Sequence, residues 1–262
     1  MRTFLALTLG VFVLTLSACG GSNEDELVVG IECNYAPYNW TSQEDGEPIE
    51  ESSSYCDGYD VDVARHVADE LDRELVIRKI DWDGLIPALE SDTIDAIIAG
   101  MSPTPEREET VNFTDSYFRS DQMLVVRSDS EYTDATSLDD FSGARVIAQK
   151  NTLQEDLIDQ IEGVDKADPL DDYPSLVEQV ESGTSDALVA DLPVATGITS
   201  DNDNLEYVEL EDGFEVEDSD VTVSIATRKD EEDLRDDLDA AIDTLDEETR
   251  QAWMEEAVDR QP

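Results

Sequence analysis

Apolar positions change their period several times along this chain, and the changes mark out its elements. Compact apolar runs at 27–31 and 75–80 predict strands. Between them Val61, Ala64, Val67, Ala68 and Leu71 recur at helical spacing, which predicts an amphipathic helix. Leu85, Ile86, Ala88 and Leu89 keep helical spacing again, Ser91, Asp92 and Thr93 punctuate, and 94–99 suits a short buried parallel strand. The stretch from Val111 to Tyr117 leads to an apolar strand at 122–127, expected to leave the first domain. From Ser137 the pattern restarts with a strand at 144–148, a polar turn at 149–152 and a helix over 153–161. Further strands are predicted at 205–210 and 221–227, the second returning to the first domain, and 231–260 holds two amphipathic helices through Leu234, Leu238, Ile242 and Leu245, then Trp253, Met254 and Val258.

One cassette occurs twice. Glu90, Ser91, Thr93, Asp95, Ala96 and Ala99 recur as Glu181, Ser182, Thr184, Asp186, Ala187 and Ala190, at a constant offset of 91 residues. The alternative to a true repeat is a coincidence of helix–turn–strand composition. If the repeat is structural, Gly100 and Asp191 stand at equivalent strand exits in two similar lobes.

The polar residues arrive at those exits. Gly100, Ser102, Thr104 and Arg107 follow the first apolar run, and open α/β sheets hold ligands beyond the carboxyl ends of their strands. Thr104, Pro105 and Glu106 read as an N-cap, a proline at the first helical position and an acid in the first turn, so backbone N–H groups are expected to face the strand end. A guanidinium beside such donors suits a carboxylate, and Asp191 at the other exit suits an ammonium. The plainer alternative pairs Arg107 with Glu108 or Asp115. The strand at 27–31 ends in Glu32, Cys33, Asn34, Tyr35, Ala36, Pro37, Tyr38, Asn39 and Trp40, which sets a carboxylate among aromatics at a third exit.

Length and charge narrow the classes. The 262 residues suffice for two modest domains, and 39% apolar content allows each a core. Residues 1–18 carry one early arginine and an apolar run too short for a comfortable membrane span, which reads as an export signal. Leu16, Ser17, Ala18 and Cys19 look like a bacterial lipoprotein box, with lipid on Cys19 and a tether over 19–26. Export favours a disulfide between Cys33 and Cys56 over two buried thiols, and closing that loop contributes about 3 kcal/mol in the chain-entropy picture. A zinc site is disfavoured, because only those thiols and His66 offer sulfur or nitrogen. A formal charge of −51 excludes nucleic acid as a partner. Lysine is scarce, at 79, 150, 166 and 229 only, and an acid-rich, lysine-poor surface suits high salt. An acidic lineage without salt adaptation is the alternative, and unfolding compared in low and high salt separates the two.

A family resemblance rests on four stretches: Tyr35-Ala36-Pro37-Tyr38; Gly58-Tyr59-Asp60-Val61-Asp62; Trp82-Asp83-Gly84-Leu85-Ile86-Pro87-Ala88-Leu89; and Gly100-Met101-Ser102-Pro103-Thr104-Pro105-Glu106-Arg107, followed by Phe113-Thr114-Asp115. With these the chain resembles the family 3 bacterial solute-binding proteins, the extracytoplasmic receptors of polar amino-acid importers. The resemblance covers nearly all of the mature chain. It implies an α/β fold of the two-lobed periplasmic-binding-protein-like (type II) kind, each lobe a doubly wound, mostly parallel sheet with flanking helices, joined by two hinge strands. Lobe 1 is expected over 27–124 plus 224–262, and lobe 2 over 125–223.

Carried over by position, the resemblance implies that Arg107 grips a ligand α-carboxylate with Ser102, Thr152 and the backbone of Gly100 and Leu153. Asp191 and the Gly100 carbonyl would take the α-ammonium. Tyr35 and Trp82 resemble the aromatic pair that sandwiches the side chain, and Glu32 stands where the family often places a side-chain-reading acid, with Gln122 beside them. Such a set suits a basic amino acid, arginine first, through cation–π contact and neutralisation by Glu32; glutamine or another polar amino acid is the runner-up. The turn at Lys150-Asn151-Thr152-Leu153 departs from the family, which usually has glycine before the threonine, and the Cys33/Cys56 insertion is not general to it. An ABC-transporter permease as partner, no cofactor, a monomer, and membrane contact through the lipid alone complete the expectation. An enzyme of this fold is disfavoured by the single histidine and by the absence of GxSxG and HExxH stretches. A ligand sensor remains the other alternative.

Overall fold

The computed structural model describes residues 25–200, 202–217 and 219–262. The expected export signal, Cys19 and most of the tether lie outside the described residues. Among those described, no helix is long and apolar enough to cross a membrane.

The chain opens with β1 (Glu26–Ile31), fully buried along its last three residues. A small antiparallel sheet follows from β2 (Asn34–Tyr35), β3 (Asn39–Ser42), β4 (Glu47–Pro48) and β5 (Tyr55–Asp57), in the order β2-β3-β5-β4. Cys33 and Cys56 are joined by a disulfide, with 5.7 Å between their Cα atoms, so the expected bond forms. Next come α1 (Tyr59–Glu70), β6 (Glu74–Lys79), α2 (Leu85–Glu90), β7 (Ala96–Ile97), α3 (Pro105–Glu108) and β8 (Val111–Arg119). The second lobe contains β9 (Gln122–Arg127), β10 (Arg145–Ile147), α4 (Leu153–Leu157), β11 (Asp165–Lys166), α5 (Tyr173–Glu181), β12 (Ala187–Asp191), α6 (Leu192–Ser200) and β13 (Leu205–Val208). β14 (Thr222–Arg228), α7 (Glu232–Ile242) and α8 (Glu247–Arg260) then return to the first lobe.

The two large sheets have one plan, β6-β1-β7-β14-β8 and β11-β10-β12-β9-β13. In each, the fourth strand alone runs antiparallel to its neighbours. That strand arrives from the other lobe: β9 follows β8, and β14 follows β13. The chain therefore crosses at Ser120–Asp121, a few residues before the expected division after 124, because Gln122 to Leu124 already pair with Asp191 to Val189 of β12. At the crossing, the backbone N–H of Leu192 donates to the Asp121 carbonyl (2.9 Å) and to Ser120 Oγ (3.1 Å).

The sequence repeat is structural, and its residues play the same parts in both lobes. Asp95 and Asp186 each accept a hydrogen bond from the backbone of the neighbouring parallel strand, at Val28 (2.9 Å) and Arg145 (2.8 Å), and each returns its own N–H to that residue's carbonyl. Ser91 Oγ lies 3.1 Å from Thr93 Oγ1, and Ser182 Oγ lies 3.0 Å from Thr184 Oγ1. Asp92 and Gly183 both take left-handed backbone at the same place in the turn, with φ 60° and 71°. Outside the repeat the pseudo-symmetry continues: Arg228 at the end of β14 reaches the Ile94 carbonyl, and Arg127 at the end of β9 reaches that of Ser185. Gly100 and Asp191 thus stand at corresponding exits, facing one cleft.

Candidate functional site

The cleft is lined by Tyr35, Trp82, Gly100, Ser102 and Arg107 from the first lobe and by Gln149, Thr152, Leu153 and Gln154 from the second. These residues close on a cavity of about 10 Å³, no more than one water molecule requires. Seven of the ten expected ligand residues are in that lining, and the other three, Glu32, Gln122 and Asp191, are one hydrogen bond behind it.

Arg107 is delivered by a single turn. Thr104 caps α3 by accepting from the Arg107 N–H (3.4 Å), and Pro105 occupies the first helical position, as the sequence predicts. With only four residues, α3 has little macrodipole, so the positive character of this exit rests on the guanidinium rather than on helical N–H groups. That group lies 5.0 Å over the Trp82 ring and donates to the carbonyls of Ser102 (2.9 Å) and Asn151 (3.2 Å). Among the described residues it has no carboxylate partner, so neither Glu108 nor Asp115 takes it. Burial lowers its pKa to about 10, which leaves it charged at neutral pH.

Three carboxylates are buried opposite and beneath it. Asp191, 5% exposed, accepts from the Tyr35 hydroxyl, from Gln122 Nε2 (2.5 Å) and from Gln154 Nε2 (3.4 Å). Burial nevertheless pushes its pKa up to about 6, against the lowering effect of the Tyr35 and Gln122 bonds. Glu32, 2% exposed, accepts from Gln149 Nε2 (3.0 Å) through Oε2, while Oε1 has no partner. Its pKa rises to about 7, chiefly by burial and further by the charges of Asp172, Asp60 and Asp81, with the Gln149 bond opposing. Asp60 is fully buried and accepts from Tyr117 Oη and Asn39 Nδ2, each at 2.7 Å. Tyr117 Oη in turn accepts from the Gly100 N–H at 3.0 Å, so Asp60 braces the strand exit from behind. Its pKa is also pushed up to about 7 by burial, although these hydrogen bonds oppose the shift.

Both members of the expected aromatic pair, Tyr35 and Trp82, line the cavity. Trp82 presents its face to Arg107 and donates its indole N–H to the Asn151 carbonyl (3.1 Å). Tyr35 stacks on Tyr38 at 5.1 Å and lies 4.6 Å from the tilted ring of Tyr173, with its hydroxyl on Asp191. Gly100, at φ 61°, lies so close beneath Tyr35 that an added Cβ would come within 2.9 Å of the ring. Gln122, expected beside the side-chain-reading group, donates to Asp191 and accepts from Gln154 Nε2 (3.0 Å). Ser102 offers its carbonyl to Arg107, while its hydroxyl donates to the Asp220 carbonyl (3.3 Å). Thr152 caps α4 and donates to the Gln149 carbonyl (2.7 Å).

The second-lobe turn works without glycine. Asn151 takes the left-handed conformation with φ 56°, which asparagine tolerates better than most residues. Its carbonyl receives both Trp82 and Arg107, while its side chain (2.7 Å) and Lys150 (2.7 Å) bind Asp83 of the other lobe. The sequence reading missed Gln149, Gln154, Tyr173 and the Asn151 carbonyl. The first lies in the polar turn that marked the site, whereas an aromatic at a helix start, such as Tyr173, reads as ordinary core.

Residues 27–257 match the bacterial extracellular solute-binding proteins, family 3. The chain belongs to this family. The arginine-binding extracellular protein ArtP of Bacillus subtilis is 30% identical over 257 residues, covering 94% of this chain and 93% of its own. The glutamine-binding ABC-transporter protein GlnH of the same organism is 26% identical, covering 76% and 78%. Among solved structures, an amino-acid ABC-transporter substrate-binding protein from Streptococcus pneumoniae, bound to L-arginine, superposes with a TM-score of 0.79 at 28% identity, over 90% of this chain and 95% of that one. The fold expected from the sequence is therefore that of this family: two α/β lobes around a cleft. Its members are solute-binding proteins, and the relatives serve ABC transporters.

Proposed function

We propose that this family 3 protein binds a cationic amino acid, arginine foremost, between its lobes and hands it to an ABC importer. The observation that carries the reading is the charge inventory of the cleft. Among the described residues Arg107, a guanidinium without a carboxylate partner, lines a small cavity, and two buried carboxylates, Glu32 and Asp191, lie one hydrogen bond behind that lining, the first with an unpartnered oxygen. An amino-acid α-carboxylate on Arg107 and an α-ammonium on Asp191 leave Glu32 uncompensated, and a side-chain cation completes the balance. The similarity to arginine-binding relatives supports the same choice. With so little space between the walls, entry requires the lobes to part about the two crossing strands.

Glutamine is the second reading, and one contact favours it: the Gln149 amide already donates to Glu32, so a ligand amide suits the same acceptor. Thermal-shift screening of the common amino acids, followed by calorimetry, decides between them. Arginine is expected to bind most tightly in the wild type, and Glu32→Gln to weaken arginine by about tenfold or more while changing glutamine far less. No saturable ligand would overturn the class, and glutamine binding more tightly than arginine would overturn the choice within it. On the same reading the protein works outside the cytoplasm as a monomer, anchored by lipid on Cys19. The mass of the mature N-terminal peptide tests that anchor, and an unmodified terminus downstream of Cys19 would refute it.

A further inference from the structure

The wall that carries Glu32 is tied from behind by a covalent bond. Cys33 follows Glu32 directly and is joined to Cys56 of β5, and both cysteines are completely buried. Cys33 has φ 51°, a left-handed conformation that a side chain with a Cβ disfavours. On either side of this turn the chain meets the opposite lobe, Glu32 through Gln149 and Tyr35 through Asp191. The anchor behind it is itself fixed: Cys56 pairs with Thr41 of β3, and Thr41 Oγ1 donates to the Cys33 carbonyl (2.9 Å).

Among the described residues the Glu32 carboxylate has a single hydrogen-bond partner. One of its oxygens has no partner, and the other depends on a glutamine of the lobe that moves away when the cleft opens. A carboxylate so poorly compensated gains by turning toward water. Arg107 sits on α3, which the disulfide does not touch, whereas Asp191, at the end of β12, meets this turn through the Tyr35 hydroxyl.

We propose that the Cys33–Cys56 disulfide is a positioning device for ligand discrimination. It holds Glu32 behind the cleft wall and thereby sets the affinity for a cationic side chain, while recognition of the α-carboxylate by Arg107 proceeds without it. The inference rests on the reading of Glu32 as the partner of the ligand side chain.

The test is a cycle of four proteins: wild type, Cys33→Ala with Cys56→Ala, Glu32→Gln, and all three substitutions together. Each is titrated with L-arginine by calorimetry, with circular dichroism confirming the fold. Removing the disulfide is expected to weaken arginine binding about tenfold when Glu32 is present and hardly at all in the Glu32→Gln background, since preorganisation matters only for the group being held. An equal loss in both backgrounds would show a merely structural crosslink and overturn the proposal, as would no loss in either. If the cysteine-free chain does not fold, titration of the native and Glu32→Gln proteins before and after reduction with a phosphine, free thiols being counted by mass, makes the same comparison. An oxidised wild type that fails to bind arginine overturns the ligand reading, and this inference with it, whereas intact binding with no Glu32-dependent loss overturns this inference alone.

Discussion

Replacing Arg107 by methionine is expected to weaken amino-acid binding severely while both lobes remain folded. The guanidinium has no carboxylate partner among the described residues, and its hydrogen bonds go only to the carbonyls of Ser102 and Asn151. Its removal therefore leaves no buried anion unpaired, and the change in unfolding free energy should stay within about 1 kcal/mol, the net worth of those contacts and of the Trp82 stack. A bound ligand carboxylate depends on it far more. Truncating one member of an enclosed charge pair costs about 2–5 kcal/mol, so the Kd should rise by roughly 30-fold to more than 1,000-fold. Calorimetric titration with arginine beside thermal unfolding of the ligand-free protein makes the comparison. Affinity unchanged within a factor of about three would remove Arg107 from the site.

Acidification is expected to weaken arginine binding while it stabilises the ligand-free protein. The pKa values of Glu32 and Asp191 are raised from 4.5 to about 7 and from 3.8 to about 6, mainly by burial. A carboxyl whose folded pKa lies above its unfolded one favours the folded state in its protonated form. Its stabilising contribution is complete below the unfolded values and is lost as pH rises through about 6 to 7. A cationic ligand needs the opposite form, so binding must first remove those protons. Between pH 7 and pH 5 the Kd should therefore increase, approaching about tenfold per pH unit for each group being deprotonated. Arg107, with a pKa near 10, stays charged throughout and does not contribute. Glu32→Gln should remove the upper part of the dependence and leave the part that belongs to Asp191. A Kd that is flat across this range would show that neither carboxylate meets the ligand as an anion.

The elements were legible where a single segment carries the whole signal. The runs at 27–31 and 75–80 correspond to β1 and β6, and the tail forms α7 and α8 as its spacing indicates. The helix expected over 153–161 is shorter, because α4 stops at Leu157 and a 3₁₀ turn, Ile158–Gln160, follows. The small sheet left no mark on the apolar pattern, since strands of two to four residues are too short to display alternation. The crossing point was misplaced by a few residues because the apolar run of β9 reveals that it is a strand but not which sheet it joins. The repeat was a firmer guide: its matching serines, threonines and aspartates bond within one cassette or to the adjacent strand, so the same local sequence produces the same local geometry twice.

Local sequence was enough to mark the two strand exits and to set Arg107 and Asp191 beside them, through periodicity, turn chemistry and a repeat offset by 91 residues, while the fold class came from the family resemblance. What each polar group meets was settled only when the lobes came together. Gln149 on Glu32, Tyr35 on Asp191 and Asn151 beneath Arg107 join residues 44 to 156 positions apart, across a cleft that no local pattern describes. Burial is likewise a property of the assembled lobes, and it is burial that lifts the carboxyl pKa values toward neutrality and leaves one oxygen of Glu32 without a partner. The disulfide belongs to both accounts: the export signal expected from the sequence made the pairing of Cys33 with Cys56 foreseeable, but only the fold showed that it lies directly behind Glu32.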